Sequence, residues 1–246
     1  MNIGIIGANG FVGKELSNVL SRDYEVYDIT KDNQSYFYDM TFDVLINANG
    51  NSKKYWANQN PIEDFELSTK SVYESIINFK FKKYIYISSV DAELSRLPYG
   101  LNKRLSEMIV KNIPDNKSYL ILRCSVIIGK EMKKGILYDI LNNKDVFISS
   151  NSKLQFITNT EIANIIQRLL QLNILNECID ISGKSNISVS DIGFILHKRI
   201  NYKDTDDKLE LQYYCNSTNH LEEYYNLKTS KEYILEVANE RMAESV

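Results

Sequence analysis

Met1-Asn-Ile-Gly-Ile-Ile-Gly7-Ala-Asn-Gly10-Phe-Val-Gly13-Lys-Glu-Leu16 opens the chain and decides how the rest is read. Four of the ten glycines fall here, at Gly4, Gly7, Gly10 and Gly13. The apolar run Ile3 to Ile6 predicts a buried parallel strand. Gly7, Gly10 and Gly13 punctuate a turn, and Lys14 to Leu20 predicts the helix that follows. Strand, glycine turn, helix is the context that dinucleotide binding requires. Without Cβ atoms, backbone N–H groups can approach a pyrophosphate, and the helix N-terminus adds partial positive charge. A third small residue lets the helix pack close to the strand. The alternative is a tight strand-to-helix turn that holds no ligand, but three glycines at this spacing exceed what a turn needs.

Outward from this stretch, apolar runs alternate with helical patterns. Glu25 to Ile29, Ser35 to Asp39 and Asp43 to Ala48 predict the second, third and fourth strands. Pro61 opens a helical stretch through Phe79, with Ile62, Phe65, Val72, Ile76 and Ile77 at helical spacing. Lys83 to Ser88 predicts the fifth strand, Leu101 to Lys111 a helix with Leu105, Met108 and Ile109 inward, and Tyr119 to Ile128 the sixth strand. Glu161 to Leu172 is an amphipathic helix and Cys178 to Ser182 a further strand. Beyond Gly183 the pattern loosens, with helices expected at Val189 to Arg199 and Lys231 to Arg241. The expected fold is α/β, a doubly wound parallel (Rossmann) sheet with a small C-terminal lobe. Residues 1–128 make the dinucleotide-binding core. Residues 129–246 supply the last sheet strand and the lobe, docked at the sheet's carboxyl edge, where such sheets bind ligands.

Bulk properties narrow the function classes. The 246 residues carry a net charge of −3, which gives no pull toward nucleic acid or an anionic membrane. No apolar run reaches the roughly 18 residues of a membrane span. The N-terminus enters the first strand with no basic segment or cleavage site, so no signal peptide is expected. Cys124, Cys178 and Cys215 are odd in number and not in a metal spacing, and His197 and His220 are the only histidines. The expectation is a chain of the reducing cytoplasm without a metal site. Asp204, Asp206 and Asp207 read as a solvated acidic loop, His197 as a packed or surface histidine, and Thr160-Glu161 as a helix start.

The chemistry rests on Tyr99-Gly-Leu-Asn-Lys103, which puts a phenol and an ammonium on one helix face. A nearby ammonium favours the phenolate and lowers a pKa that is about 10 when unperturbed. The phenol then serves as a proton donor or acceptor. The same spacing recurs at Tyr27 with Lys31 and Tyr224 with Lys228. Tyr27 lies in the second strand and Tyr224 in the terminal lobe. Tyr99 alone opens a helix directly after the fifth strand, whose end carries Ser88 and Ser89. The bland reading of those serines is a strand-end turn, and of Asn47 and Asn49 a loop.

On these residues the chain resembles the extended short-chain dehydrogenase/reductase family of nucleotide-sugar epimerases, dehydratases and ketoreductases. The resemblance runs through Gly7-Ala-Asn-Gly10-Phe-Val-Gly13, Asp43-Val-Leu-Ile-Asn-Ala-Asn-Gly50, Asn60-Pro61, Tyr84-Ile-Tyr-Ile-Ser-Ser89, Tyr99-Gly-Leu-Asn-Lys103 and Leu122-Arg-Cys-Ser-Val-Ile-Ile-Gly129. It implies a catalytic triad of Ser89, Tyr99 and Lys103. It places Gly7, Asn9, Gly10, Phe11 and Val12 of the turn, together with Ala48, Asn49 and Gly50, against the cofactor. Tyr99 and Lys103 also lie on the cofactor side, and Asp39-Met40, after the third strand, meets the adenine. The chain departs from the family in three places. Only ten positions separate Ser89 from Tyr99, and the short loop closed by Pro98 is similar to that of a sugar 4-reductase in the family. Val90 intervenes before Asp91 where dehydratases carry Asp-Glu, and Cys124 replaces the usual proline after Arg123.

Cofactor choice has two readings. Asp28, 21 residues after Gly7 (28 − 7), suits the ribose hydroxyls of NAD. In the family register the strand-ending position is instead Thr30, followed by Lys31, and a hydroxyl with an ammonium suits the 2′-phosphate of NADP. The expected function is NADP(H)-dependent reduction of a keto group on a nucleotide-linked sugar, of the kind used in polysaccharide synthesis, with NAD as the alternative cofactor. An epimerase with tightly held NAD and a non-catalytic NADP(H)-reading sensor are the rival functions. A homodimer paired through the Ile62–Phe79 and Leu101–Lys111 helices is the expected assembly.

Overall fold

In the computed structural model, Asn2–Ile6 forms strand β1 and Phe11–Leu20 helix α1. The structure describes residues 1–203, 212–213 and 219–243; Asp204, Asp206, Asp207 and Cys215 lie outside them. Strand β2 is Glu25–Ile29, β3 Thr41–Asn47, β4 Lys80–Ser89, β5 Ser118–Cys124 and β6 Glu177–Ile181. They form one sheet in the order β6-β5-β4-β3-β1-β2. The β1 strand pairs in parallel with β2 (Ile3 to Val26) and with β3 (Ile3 to Val44), and β3 pairs in parallel with β4. This is a doubly wound, Rossmann-type sheet. The chain runs from β1 to one neighbour, β2, and then crosses back to the other, β3. The carboxyl ends of β1 and β3 therefore flank the switch point, where ligands of such sheets bind.

The chain falls into two units, residues 1–123 with 163–179, and residues 124–162 with 180–246. Every residue of the site described below belongs to the first. In that unit Val72, Ile76, Val110, Ile113, Leu45, Phe42, Tyr84 and Tyr86 share one buried cluster. In the second, Val126–Ile128 pairs in parallel with Phe156–Thr158, and Lys153–Leu154 lies between Ile187–Ser188 and Gln212–Tyr213. The last helix, Ser230–Ala243, buries Tyr233, Ile234, Val237 and Ala238, and the Tyr233 hydroxyl donates to Glu161 Oε1 at 2.7 Å.

Four expectations need correction. Ser35 to Asp39 is not a strand; Gln34–Phe37 is a short 3₁₀ turn. Alternating strand geometry would send neighbouring aromatics to opposite faces. The turn instead packs Phe37 edge-on against Tyr27 (centroids 6.0 Å apart) and Tyr38 against Phe79 (5.0 Å). Among the described residues the sheet thus has no outer strand beyond β2. Second, 119–128 is not one strand, because the backbone changes partners at Ser125: β5 ends at Cys124, and Val126 N–H donates to Gln155 O. Third, the 61–79 helix carries a π segment at Glu66–Lys70 between Pro61–Phe65 and Ser71–Asn78; together these make α3, residues 61–78. It follows α2, Lys54–Gln59. The π segment turns Ser68 and Thr69 inward, and the Thr69 hydroxyl donates to Asn102 O at 2.9 Å.

The fourth correction concerns α4, Pro98–Lys111. Its apolar stripe was expected to face in. Tyr99, Asn102, Lys103, Ser106, Glu107 and Val110 are buried instead, while Leu101 and Met108 are 46% and 56% exposed. Five of these six buried residues carry polar groups, and each has partners inside. A helix that turns polar groups inward has satisfied them there; Leu101 and Met108 are left outside, while Leu105 and Ile109 are half-buried and Ile109 packs against the core.

Candidate active site

The glycine turn is built for a backbone that lies close to other backbone. Gly7 has φ +81°, and a Cβ there would lie 2.9 Å from the Asn49 nitrogen. A Cβ on Gly13 would collide with the Gly7 carbonyl oxygen. The turn is held by Gly10 N–H donating to Gly7 O at 2.9 Å and Gly7 N–H donating to Ile29 O at 2.9 Å. Helix α1 starts at Phe11 with no side-chain cap and no acidic residue in its first turn. No acidic residue of that first turn opposes an anion at the helix N-terminus.

Beside this turn, Ala48 N–H donates to Ile6 O at 3.0 Å, which brings Ala48-Asn49-Gly50 onto the end of β1. Asn47 ends β3 and also shapes the turn that follows it. It is fully buried and donates through Nδ2 to Tyr84 Oη (2.7 Å) and Ser75 Oγ (3.2 Å), and its Oδ1 accepts Asn49 N–H. It braces the turn that carries Asn49 and Gly50. A Cβ on Gly50 would stand 3.5 Å from Lys103 Nζ, so this turn and the α4 ammonium adjoin.

Ser89 ends β4, and Tyr99 and Lys103 lie in the first turns of α4; all three are buried. The structure brings them together. The Ser89 hydroxyl hydrogen-bonds the Tyr99 phenol. Lys103 Nζ donates to Tyr86 Oη at 3.3 Å and Ile87 O at 3.4 Å, and lies 5.1 Å from the Tyr86 ring centroid. Burial pushes the Tyr99 phenol above its ordinary value; Lys103 pulls it down, Asp91 and Tyr86 push it further up, and Ser89 pulls it down. The expectation that Lys103 would depress this phenol holds for its own contribution, but desolvation is larger. Tyr99 is thus a protonated donor at neutral pH.

Sequence reasoning missed several groups around this triad. Tyr86 was within reach of it, since Tyr84, Tyr86 and Ser88 share one strand face by period two. That face meets the Lys103 and Glu107 face of α4: Ser88 Oγ donates to Glu107 Oε1 at 2.7 Å. Glu107 is then gripped by Arg123, from Nη2 at 2.7 Å and Nε at 2.9 Å. Asp64 is fully buried and accepts from Asn102 Nδ2 (2.7 Å) and Asn51 Nδ2 (3.0 Å), tying the loop after β3 to α4. Asn58 Oδ1 accepts the Tyr99 N–H at 3.1 Å. No spacing rule in the sequence announces these last two.

The remaining expected contacts divide. The β2 strand ends at Ile29, whose carbonyl receives the glycine turn, so Thr30 and Lys31 follow directly beside it. Thr30 N–H is held by Asn33 Oδ1 at 2.8 Å. Asp28 lies within β2, opposite Ile5, and is exposed. Asp39 and Met40 precede Thr41, at the amino end of β3, where Asp39 pairs with Lys80 at 2.9 Å. About 20 Å of strand, at roughly 3.3 Å per residue, separates them from Asn47 and the switch point. The structure does not bring them to the site, because the outer strand that would have carried them to the carboxyl edge is absent.

The chain matches no protein-family model and no curated protein sequence. Its likeness is to solved structures. RMD from Pseudomonas aeruginosa complexed with NADPH superposes with a TM-score of 0.81 at 15% identity, over 99% of each chain. A dTDP-4-dehydrorhamnose reductase from Bacillus anthracis in complex with NADP gives 0.80 at 15% identity, over 97% of this chain and 99% of that one. MoeE5 in complex with UDP-glucose and NAD gives 0.83 at 11% identity over the whole of both. At such identities the likeness is one of fold.

Proposed function

We propose that this chain is an extended short-chain dehydrogenase/reductase that reduces a keto group on a nucleotide-linked sugar, with NADP(H) as cofactor. The observation that carries the reading is a phenol, Tyr99, buried with Ser89 and Lys103 on the unit that holds the glycine turn. The structural neighbours complexed with NADPH, NADP, and NAD with UDP-glucose support it.

The residues present fit a dinucleotide. Gly7, Asn9, Gly10, Phe11 and Val12 offer a close backbone and a helix N-terminus for a pyrophosphate. Ala48, Asn49 and Gly50 form the facing wall, and Lys103 reaches Gly50, where a ribose would be held. When bound, the nicotinamide supplies the hydride that a keto carbon needs. Ser89 orients the keto oxygen by hydrogen bonding. Tyr99 gives its Oη proton to that oxygen. Lys103 would hold the ribose and offset the negative charge left on the phenol.

Thr30 and Lys31 at the strand end favour the phosphorylated cofactor. Lys31→Ala therefore weakens NADPH binding more than NADH binding, measured by calorimetric titration of both. Equal losses, or a wild-type preference for NADH, would move the assignment to Asp28 and NAD.

The outward apolar faces of α3 and α4 support a homodimer. Leu67, Tyr73 and Ile77 on α3 and Leu101 and Met108 on α4 are exposed. Large apolar residues grouped this way mark a covered surface, and two-fold dimers are the commonest assembly. Light scattering should give twice 28.5 kDa, and Met108→Glu should give a monomer. A wild-type monomer at micromolar concentration would refute the dimer.

A further inference from the structure

Asp91 is the carboxylate closest to the triad, and the mechanism above does not use it. It is 1% exposed. Its Oδ1 lies 2.5 Å from Lys54 Nζ at the start of α2, and the Lys54 side chain is 36% exposed. Its Oδ2 accepts the Ser89 hydroxyl at 3.2 Å, and its own N–H donates back to Ser89 Oγ at 3.2 Å. Ser89 Oγ is thus anchored by the Asp91 N–H, and its single proton rests on the carboxylate until a keto oxygen competes for it.

The turn that carries Asp91 is clamped to the helix that carries Tyr99. Gly100, next to Tyr99, touches it so closely that a Cβ would lie 2.5 Å from Asp91 O and 2.7 Å from Ser95 Cβ. Arg104, one helical turn on, donates to Ala92 O at 2.7 Å and Ser95 O at 2.9 Å. The distance from carboxylate to phenol is therefore set by backbone packing and not by a loose loop. The charged or titratable groups acting on Tyr99 are Lys103 from its own helix, Asp91 from this turn and Tyr86 from β4. From α2, Lys54 faces Asp91. From α3, Asp64 faces Asn102 and Asn51.

We propose that Asp91 and Lys54 are positioning residues for proton transfer: Asp91 anchors Ser89 Oγ beside the Tyr99 phenol, and Lys54 offsets the charge of that carboxylate. The proposal rests on the reading of Tyr99 as the acid. A carboxylate near a phenol makes the phenolate costlier, and an ammonium on that carboxylate offsets part of the cost. The two residues therefore act with opposite sign, which a merely structural pair would not do.

The test needs no substrate. The protein is labelled at the tyrosine ring carbon that bears oxygen and titrated by NMR, the Tyr99 signal being the one lost in Tyr99→Phe. Asp91→Asn should move the Tyr99 titration down by on the order of one pH unit. Lys54→Gln should move it up, and Lys54→Arg, which keeps the charge, should leave it in place. A Tyr99 titration that is unmoved or raised in folded Asp91→Asn would overturn the proposal. Should Asp91→Asn not fold, the partly exposed Lys54 carries the test, and equal titrations in Lys54→Gln and Lys54→Arg would overturn it. Turnover of Tyr99→Phe separately decides the underlying reading: an active variant removes Tyr99 from the chemistry even where the titration shifts appear.

Discussion

Tyr99→Phe should lower turnover of a keto-sugar nucleotide by about 10²–10⁴-fold, the worth of a positioned proton donor. The ring stays, so the packing of α4 on β4 stays with it, and NADPH affinity should change little. The pH profile adds a second check on the wild type. Burial raises the Tyr99 phenol above its ordinary value. An acid with a raised pKa stays protonated to higher pH, so the rate of reduction falls only as pH rises through that raised value. Tyr99 should therefore give no alkaline limb below about pH 10. Steady-state kinetics with calorimetric NADPH titration measures both. A variant with near wild-type turnover would take the phenol out of the mechanism, and a limb well below pH 10 would mean that another group donates.

Arg123→Ala should be the most damaging change to stability away from the triad. Glu107 is 2% exposed and takes hydrogen bonds from three donors, Ser88 Oγ and Arg123 Nη2 and Nε. Removing the guanidinium leaves a buried carboxylate uncompensated, which costs about 3–5 kcal/mol. For a chain of this length that lowers the thermal midpoint by on the order of 10 °C. Replacing both partners with apolar residues of similar size, Arg123→Met with Glu107→Leu, should recover much of the loss, because no charge is then stranded. Denaturant unfolding of the single and double variants checks this. A loss under about 1 kcal/mol for Arg123→Ala would mean that the pair is solvated and contributes as a surface bridge does.

The parts of the fold that were legible are those where local pattern and tertiary environment agree. Ile3 to Ile6 followed by three spaced glycines could hardly be anything but strand, turn and helix. Glu25–Ile29 is a strand in the structure with the bounds the sequence implied. The errors fall where long-range packing decides. Ser-Tyr-Phe-Tyr-Asp at 35–39 has strand composition, yet Phe37 and Tyr38 each find an aromatic partner only if the chain coils there. That single difference removed the outer strand and with it the route of Asp39 to the site. Helix α4 misled for the opposite reason. Its hydrophobic periodicity is real, but its inward groups are chosen by hydrogen bonding, Lys103 to Tyr86 and Glu107 to Ser88 and Arg123. That Ser89, Tyr99 and Lys103 would lie together was legible as a spacing plus a place in the strand-helix order. Asp91, Lys54 and Asn58 were not, because nothing in a one-dimensional pattern tells which loop residue folds back onto the end of a strand.

The most direct test of the account is a single-turnover reaction. NADPH deuterated at the transferable position is mixed with the protein and a panel of nucleotide-linked keto-sugars, and the products are weighed by mass spectrometry. One product is expected, its new carbinol carbon carrying one deuterium for each NADPH oxidised, and Tyr99→Phe should abolish it. NADPH bound but never oxidised by any member of the panel, or product formed with no deuterium at the carbinol carbon, would contradict it.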